Sequence, residues 1–460
     1  MNKKRKLKIG IFIDHDIIIR HFLHSGVLKK LSNKHKVDFI LPPIGYKRTK
    51  LDPKNYIGNS KKITLKVNNF RRTLWARLRQ VIILRSRFGE ENKNIRKNWL
   101  QYIPLKERIL QTLLGLPIIF KIYRLVIKII EYQYRNKDLI NIIYKGKYDL
   151  IINPGVPDGI FFDDLQLEAK RFKIPLIYIM NSWDNPCVCP LVNGQPDLYL
   201  AWGPQSANLA NEYLKIDSHK IIQFGAAQFE VYKNNPKINR LNFCKINQIN
   251  PKNKIILYAG SNHNTDEFSH LKALENSIES GFLKKSIILY RPHPWGGGGS
   301  TGNKILNHDW KHVRIESNMK NYLENLQNKG YHLTFPSYED TNVVLCAVDC
   351  VISPLSTILL ESLIVGKPTL CFRALDEISE KNKRLKIISK MPHFKDFVTA
   401  KEIILADNLE QLVKKVPLLI NQIDNPIPKE DINKLKSKYI CHYEEKYEER
   451  LVTLVEKLIN

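Results

Sequence analysis

The sequence contains few cysteines, no long signal-like apolar run and few acidic residues in its first third. Seven cysteines in 460 residues are too few, and odd in number, for a disulfide framework, so we expect reduced thiols in the cytosol. The apolar run after the basic N-terminal tip ends at Asp14 after five residues, which is too short for a signal peptide. Proline and glycine are near average at 23 and 21 residues, which excludes collagen-like and low-complexity chains.

The scarcity of acidic residues is confined to the first third of the chain. Residues 1–150 hold 35 Lys/Arg against 10 Asp/Glu, whereas residues 151–460 hold 38 against 35. The formal charge of +28 therefore lies almost entirely in the first 150 residues. This asymmetry indicates an anionic partner, which is a nucleic acid, an anionic membrane face or an acidic substrate. Hydrophobic residues at 43% and charged residues at 26% are typical of a folded protein.

Short apolar segments alternate with helical segments along most of the chain. Apolar strands separated by helices indicate parallel sheets covered on both faces. We therefore predict an α/β fold with two Rossmann-like, doubly wound parallel-sheet domains that face a cleft. Strands are predicted at 8–13, 36–41, 148–152, 175–180, 197–201 and 220–224, and again at 254–259, 286–290, 331–335, 349–352 and 368–373. Helices are predicted at 17–31, 161–172 and 357–365.

Shifts in composition divide the chain into domains. We predict a first domain over 1–232 with a basic helical insert at about 60–146, a polar linker over 233–253, a second domain over 254–429, and a C-terminal helix over 430–460. Open α/β sheets bind ligands beyond the carboxyl ends of their strands. Polar residues that directly follow a strand are therefore the candidate site residues.

The insert combines positive charge with apolar residues. Residues 61–97 hold twelve Lys/Arg and two acidic residues, and the apolar segment 109–130 is interrupted by Pro117, Lys121 and other basic residues. These interruptions disfavour a membrane-spanning helix and favour one that lies on a membrane surface or packs on the domain. Peripheral membrane attachment and an ordinary basic face over a core helix both fit this pattern. No nucleic acid is expected, because no motif that reads RNA or DNA accompanies the charge.

Three ionisable residues, Asp14, His15 and Asp16, directly follow the first strand. A carboxylate or imidazole at this edge can remove a proton from an acceptor hydroxyl, since a cleft can move its pKa toward neutrality. A simpler interpretation is that Asp16 only caps the following helix. The sequence does not decide which of the three is the base.

Hydroxyl, amide and basic side chains follow strands of the second domain. Ser261 and Asn262 lie in a small polar loop before a helix, where backbone amides form an anion site. Arg291 and His293 belong to an R-P-H-P segment that follows the next strand and is suited to a diphosphate. The run Gly296–Gly299 fits either close approach of backbone to a ligand or a flexible surface loop.

A third loop of the second domain is rich in hydroxyl groups. Ser353, Ser356 and Thr357 lie between a strand and the start of a helix, where hydroxyls and amides can hold a phosphate. Glu361, one helical turn further on, is within reach of a ribose hydroxyl. The simpler alternative is a capping serine with no ligand.

Three motifs together resemble GT-B glycosyltransferases. They are R-P-H-P at 291–294, D-x-V-I-S-x-x-S-T-x-x-x-E-S-x-x-x-G-K-P at 349–368 and G-A-A-Q-F-E-V-Y at 225–232. The branches that they resemble make bacterial surface polysaccharides such as capsule and lipopolysaccharide: CDP-glycerol glycerophosphotransferase-like, Kdo-transferase-like and sialyltransferase-like proteins. Residues 181–204 also resemble the acceptor-side loop of these enzymes. The insert at 60–146 matches none of their motifs.

The resemblance implies roles for particular residues. It puts His293, Ser356 and Thr357 against the donor phosphates and Glu361 near the ribose. The acceptor-activating base would be Asp14, His15 or Asp16, and Asp184 and Asn185 would lie on the acceptor side.

The resemblance also bears on the donor and on cofactors. The combination of His-Pro with Ser-Thr favours CMP- or CDP-linked donors, with UDP-linked donors as the alternative. No cofactor and no metal site is expected. Cys187 and Cys189 form a C-x-C pair without two further ligands, and we interpret both as structural. The glycine run departs from the family, because a basic residue is more usual there, and phosphate neutralisation then falls to Arg291.

We therefore predict a metal-independent glycosyltransferase that moves a sugar or polyol phosphate from a nucleotide-activated donor to a hydroxyl of a surface glycan or lipid-linked glycan. The basic first domain would hold it at the inner face of the cell membrane. A nucleotide-sugar 2-epimerase is one alternative, since it shares the serine-rich turn and the G-K-P segment. A non-catalytic, basic membrane- or nucleic-acid-binding protein is another.

Overall fold

The structure is a computed structural model of the chain. It describes all residues except 1–4, 47–52, 86–95, 98–99, 101–102, 262–264, 295–300, 330–335, 380–382 and 460. The chain divides into two compact units: unit 1 comprises Met1–Glu230 and Lys438–Asn460, and unit 2 comprises Val231–Ser437. Each unit is an α/β body with its own parallel sheet, so the predicted fold class is confirmed.

Unit 1 contains a sheet of seven described strands, all parallel to their neighbours. The strands are β1 Lys8–Phe12, β2 Lys36–Leu41, β3 Lys61–Thr64, β4 Leu150–Gly155, β5 Leu176–Met180, β6 Leu198–Ala201 and β7 Ile221–Gln223. Their order across the sheet is β3-β2-β1-β4-β5-β6-β7. The order reverses between β1 and β4, where Ile9 lies opposite Leu150. That reversal is the switch point at which open α/β sheets bind ligands.

Helices cover both faces of this sheet. They are α1 Asp16–Ile18, α2 Lys29–Lys34, α3 Asn69–Arg85, α4 Leu105–Leu114, α5 Pro117–Gln133, α6 Lys137–Gly146, α7 Phe162–Phe172 and α8 Pro204–Leu209. Short π-helical segments span Ile19–His24 and Ala210–Leu214, and 3-10 turns span Pro53–Asn55, Asn185–Cys187, Ser218–Lys220 and Ala227–Lys233. Alternate side chains of the buried strands feed two apolar cores. Ile9 and Ile11 belong to one core, and Phe12 and Ile151 belong to the other.

Two buried arginines attach the insert to unit 1. Arg71 of α3 pairs with Asp164 at 2.5 Å, and Arg79 of the same helix pairs with Asp163 at 2.7 Å. All four side chains are almost completely buried. Part of the positive charge of the insert is therefore neutralised inside the fold. Removal of one partner there would leave the other charge buried and unpaired.

Unit 2 contains a sheet of six described parallel strands in the order β10-β9-β8-β11-β12-β13. The strands are β8 Lys254–Ala259, β9 Ser286–Arg291, β10 Val313–Ile315, β11 Cys350–Ser353, β12 Thr369–Phe372 and β13 Ile404–Ala406. The order reverses between β8 and β11, so the same kind of switch point recurs. The helices are α9 Arg240–Ile246, α10 Glu267–Glu279, α11 Gly302–Asn307, α12 Ser317–Lys329, α13 Tyr338–Ala347, α14 Ile358–Ile364, α15 Lys383–Ile388, α16 Pro392–Val398, α17 Leu409–Asp424 and α18 Lys429–Tyr439, with a 3-10 turn at Leu375–Glu377.

The last helix, α19 Tyr447–Ile459, belongs to the core of unit 1. Its buried residues Tyr447, Leu451, Val452 and Val455 pack in the same core as the side chains of β1. The predicted single C-terminal helix over 430–460 is therefore wrong: α18 ends at Tyr439, and His442 has a left-handed φ of 50° in the connection to α19.

Other boundaries also differ from the predictions. The segment 233–253 is not a free linker, because it forms α9, whose Phe243 and Cys244 are buried in the core of unit 2. The predicted helix at 17–31 is broken into α1, a π-helical segment and α2. The insert begins with a strand of the sheet, β3, before its helices. The predicted strand 331–335 lies outside the described residues. Three short strands, β3, β10 and β13, were not predicted.

Candidate functional site

Asp14 lies at the switch point of unit 1, two residues beyond the end of β1. It is completely buried, and neither of its carboxylate oxygens makes a hydrogen bond of good geometry with the described residues. The neighbouring strand β4 contributes Asn153, whose Oδ1 atom is likewise buried without a partner. Unpaired buried oxygens are costly, and such groups are concentrated at functional sites.

Two glycines, one at the end of β4 and one in the loop that follows it, leave the space that the Asp14 carboxylate fills. A Cβ atom at Gly159 would lie 2.0 Å from Oδ2 of Asp14, and one at Gly155 would lie 3.0 Å from it. Both glycines belong to the loop G-V-P-D-G at 155–159. Any other residue at Gly159 would have to displace the carboxylate.

Burial raises the pKa of Asp14 from 3.8 to about 7. The nearby charge of Asp158 acts in the same direction, while the backbone amides of Phe161 and Ile160 and the charge of Arg72 oppose the shift. Arg72 comes from α3, so the basic insert contributes a cation to the surroundings of Asp14. A carboxyl group with a pKa near 7 exchanges a proton readily at neutral pH, as a general base requires.

His15 and Asp16 line a small pocket beside β1, β2 and β3. The same pocket is lined by Pro42 and by Lys62 of β3. His15 is the residue before α1 and makes no side-chain cap, and Asp16, also buried, is the first residue of that helix. The structure therefore does not support the alternative in which Asp16 caps the helix. Asp14 thus lies against Gly155 and Gly159 on the β4 side of the switch point, whereas His15 and Asp16 line the pocket beside β2 and β3.

His21 and Asn181 are also close to this site. Burial lowers the pKa of His21 well below its usual value, and the charges of Arg20 and His15 act in the same direction. The backbone of Asn181, in the loop after β5, opposes the shift. A buried neutral imidazole thus faces the same sheet edge as His15.

The predicted acceptor-side residues occupy the loop after β5. The Oδ1 atom of Asn185 accepts hydrogen bonds from the backbone amides of Asn181 at 2.9 Å and Ser182 at 3.1 Å. Asn185 is therefore fully buried and shapes the loop, whereas Asp184 beside it is half-buried. Cys187 and Cys189 are buried in the same segment. All seven cysteines lie within the described residues, and none is in a disulfide.

A buried carboxylate in unit 2 holds the loop after β8. Glu267 of α10 accepts hydrogen bonds from the backbone amide of Ser261, at 2.8 Å, and from the hydroxyl of Tyr290. Burial raises the pKa of Glu267 to about 7. Ser261 is completely buried, and Asn262 lies outside the described residues. Sequence reasoning missed Glu267, since its role depends on the close approach of Gly260.

The guanidinium of Arg291 is occupied within unit 2. At the end of β9 it donates a hydrogen bond to the hydroxyl of Thr341 at 3.0 Å and lies 3.9 Å from the carboxylate of Glu316. His293, two residues further on, is half-buried, and the carbonyl of Pro294 accepts a hydrogen bond from Tyr322. The segment is thus held on both sides of His293. The glycine run at 296–299 lies outside the described residues.

The hydroxyl-rich turn after β11 lies at the switch point of unit 2. Ser353 is buried and its hydroxyl is 3.1 Å from that of Ser356. Ser356 and Thr357 are half-buried, and Thr357 precedes α14 without capping it. Glu361 of α14 accepts a hydrogen bond from the hydroxyl of Tyr232.

Other residues of the same motif stabilise the frame of unit 2. Asp349 receives two hydrogen bonds from Arg240, at 2.9 and 2.8 Å, and one from the amide of Ile255 at 2.7 Å. Gly366 has a φ of 69°, and Lys367 donates to the carbonyls of Cys346 at 3.2 Å and Val348 at 2.7 Å. The motif therefore combines structural residues at both ends with candidate ligand residues in its middle.

Two kinds of feature are absent from the described residues, a metal-binding cluster and a membrane-spanning helix. Among the described ranges, no group of three or more His, Cys, Asp or Glu side chains is arranged to hold a metal ion. In the same part of the chain, no helix has both the length and the apolar character needed to cross a bilayer.

Comparison with known proteins gives no match in sequence. No family model matches the chain, and no curated protein matches it significantly. Solved structures do match. One described as a UDP-N-acetylglucosamine 2-epimerase, from Listeria monocytogenes, has a TM-score of 0.55 at 12% identity, covering 99% of this chain and 97% of that chain.

Two further structures cover nearly the whole chain. The S. aureus protein MnaA in complex with UDP has a TM-score of 0.54 at 12% identity, covering 99% of this chain and 97% of that one. A variant of the wall teichoic acid polymerase TagF has a TM-score of 0.51 at 10% identity, covering 99% of this chain and 89% of that one. At such low identity the likeness shows the fold, which is the GT-B fold with two Rossmann-like units.

Proposed function

We propose that this protein is a glycosyltransferase that moves a sugar or polyol phosphate from a nucleotide-activated donor to a hydroxyl of a membrane-associated surface glycan. The observation that carries the proposal is the buried carboxyl group of Asp14 at the switch point of unit 1. Its pKa of about 7 suits a group that accepts a proton from a hydroxyl near neutral pH.

In the proposed mechanism, ionised Asp14 takes the proton of the acceptor hydroxyl as the oxygen attacks the anomeric carbon or phosphorus of the donor. The bond from that atom to the nucleotide phosphate breaks, and the nucleotide leaves with its electron pair. His293, Ser356 and Thr357 of unit 2 bind the leaving phosphate, and Glu361 binds the ribose. Arg291 acts by holding the R-P-H-P segment in place, because its guanidinium already pairs with Thr341 and Glu316.

The nucleotide of the donor is part of this proposal. The family resemblance favours CMP- or CDP-linked donors, whereas the similar S. aureus structure contains UDP. Both classes present a diphosphate or monophosphate to the same loops of unit 2. The nucleotide therefore has to be tested as a panel.

A nucleotide-sugar 2-epimerase is the second candidate. It is supported by the Listeria monocytogenes structure, whose name states that activity and which covers 99% of this chain. Such an enzyme would convert a nucleotide sugar into its epimer without any acceptor. Incubation of the protein with UDP-N-acetylglucosamine alone, followed by NMR of the sugar, separates the two candidates.

The experiment that tests the donor site is thermal stabilisation by CMP, CDP, UMP, UDP and GDP. A ligand at 100 times its dissociation constant should stabilise the folded protein by about 2.7 kcal/mol. We expect a shift with one class of nucleotide that His293→Ala abolishes. His219→Ala, which changes an exposed histidine of unit 1, is the matched control and should retain the shift. The absence of a shift with every nucleotide would contradict the proposal.

The role of Asp14 is tested separately. Asp14→Asn keeps the size of the side chain and removes the base, so we expect loss of transfer to a lipid-linked glycan fraction with the nucleotide shift retained. Transfer at the unchanged rate would exclude Asp14 as the base and leave His15 or Asp16.

A further inference from the structure

The helix pair α4 and α5 exposes an unusual amount of apolar surface. Of the 21 large apolar side chains that are exposed among the described residues, twelve lie between Leu105 and Tyr132. Contiguous apolar surface of this kind marks a site where a protein meets another protein or a membrane.

On α5, five of the seven exposed large apolar side chains form one stripe. They recur at intervals of three and four residues, which places them on one side of the helix. The five members of the stripe are Ile118, Ile122, Leu125, Ile129 and Tyr132, with exposed fractions of 74%, 59%, 59%, 48% and 76%.

The stripe is not needed for packing of α5 on unit 1, because a different side of the helix makes that contact. Ile127 is buried against Trp75 and Leu78 of α3, and Phe120 and Tyr123 pack beside it. The helix is thus apolar on both sides, and the described residues cover only one of them.

Helix α4 shows the same feature. Leu105, Ile109, Leu110 and Leu113 are exposed by 51–68%, whereas Gln111 is the buried residue of this helix. A helix that buries a polar residue and exposes its leucines is inverted relative to an ordinary surface helix.

Positive charges accompany the exposed apolar side chains. Lys106 of α4 and Lys121 and Lys128 of α5 are exposed. The two helices contain two acidic residues, of which Glu131 is buried and Glu107 is exposed. Lysines beside an apolar stripe are the pattern of a helix that lies in the interface of an anionic bilayer.

We propose that the helix pair Leu105–Gln133 docks unit 1 on an anionic lipid bilayer, with the stripe of α5 inserted among the acyl chains and its lysines at the lipid phosphates. Helix α5, at 17 residues, lies in the interface rather than across the membrane. A second copy of the chain fits less well, since it would bring the same lysines together. The inference rests on the proposed function only for the location of the acceptor.

The test is flotation of the full-length protein with vesicles of phosphatidylcholine alone or with phosphatidylglycerol added. We expect binding to the anionic vesicles, and a loss of at least about tenfold in partitioning for Ile122→Asp/Leu125→Asp. Leu418→Asp is the matched control, because Leu418 of α17 is 57% exposed and lies outside the helix pair. The control should bind as the wild type does.

A second variant separates insertion from charge attraction. Lys121→Ser/Lys128→Ser should weaken binding to anionic vesicles and should make the residual binding less sensitive to salt than that of the wild type. Equal binding of the wild type and Ile122→Asp/Leu125→Asp would overturn the proposal. So would concentration-dependent self-association, abolished by the same variant, without binding to vesicles.

Failure of this proposal is distinguishable from failure of the proposed function. Flotation uses no donor and no acceptor, and the nucleotide panel uses no lipid. Unchanged thermal shifts in Ile122→Asp/Leu125→Asp would also show that the variant remains folded.

Discussion

Asp14 depends on residues that are far from it in sequence. The space for its carboxylate is left by Gly155 and Gly159, and a cation of the insert, Arg72, lies close enough to oppose the rise of its pKa. The position after a strand predicted Asp14 as a candidate. The glycines and Arg72 could not be predicted, because their contacts with Asp14 form only when the sheet assembles.

The contact between Gly159 and Asp14 can be tested by a double-mutant cycle. Gly159→Ala should destabilise the protein by about 1–3 kcal/mol, because its Cβ would displace the carboxylate. In the Asp14→Ala background the same change should cost much less. Urea denaturation of the four proteins measures the coupling, and additive effects would contradict the contact.

The pKa of Asp14 predicts how stability varies with pH. The carboxyl group ionises near 3.8 in the unfolded chain and near 7 in the folded protein. Between these values the folded state binds more protons at Asp14, so the contribution of Asp14 to stability falls as pH rises through this window and is constant above it.

Asp14→Asn removes this dependence. The stability of the variant relative to the wild type should therefore increase from about pH 4 to about pH 7 and then level off. Denaturation at a series of pH values measures it. Because Glu267 and Asp163 titrate alike in both proteins, a difference that does not change with pH would contradict the raised pKa.

At the scale of single elements, the strand–turn–helix segment 349–368 has two functions. Its ends hold the frame through Asp349 and Lys367, and its middle presents Ser356 and Thr357 at the switch point. The family resemblance predicts that Ser356, Thr357 and Glu361 of this segment bind the nucleotide. Only the structure separates the residues that stabilise the frame from those that remain available to a ligand.

This division predicts opposite effects of two substitutions. Lys367→Met should lower the free energy of unfolding by about 1–3 kcal/mol, since two carbonyls lose their donor. It should leave the affinity for nucleotide unchanged. His293→Ala should lower the affinity for nucleotide and leave the free energy of unfolding unchanged. Thermal denaturation with and without nucleotide measures both, and loss of affinity in folded Lys367→Met would contradict the division.

The strands that sequence reasoning missed are short and lie at sheet edges. β3, β10 and β13 are edge strands of three or four residues, too short to show a period. The buried central strands, which are mostly apolar, were predicted within one or two residues, except that β4 extends three residues beyond its predicted end, to Gly155. The break between α18 and α19 was missed because no proline or glycine marks it.

At the scale of the whole molecule, each unit has its own cores, and α19 completes the first unit from the far end of the chain. Leu451 of α19 is fully buried in a core of unit 1, and Leu419 of α17 is fully buried in a core of unit 2. The same substitution at these two leucines can therefore be compared between the two units.

Truncation of each leucine should affect a different unit. Each substitution to alanine should cost about 2–5 kcal/mol. In Leu451→Ala, hydrogen exchange should accelerate in β1 and β4, and in Leu419→Ala it should accelerate in β8 and β11. Mass spectrometry of exchanged peptides measures this, and acceleration in the same unit for both variants would contradict the assignment of α19.

The position of α19 in the sequence also determines when the core of unit 1 can be completed during synthesis on the ribosome. Unit 2 is one continuous stretch of chain, whereas unit 1 lacks part of its core until residues 447–455 have been synthesised. Translation of unit 2 at about 5–20 residues per second takes about 10–40 s, and during this time the sheet of unit 1 lacks α19. During this interval an apolar face of that sheet lacks its cover, so the nascent first unit exposes apolar surface of the kind that chaperones bind.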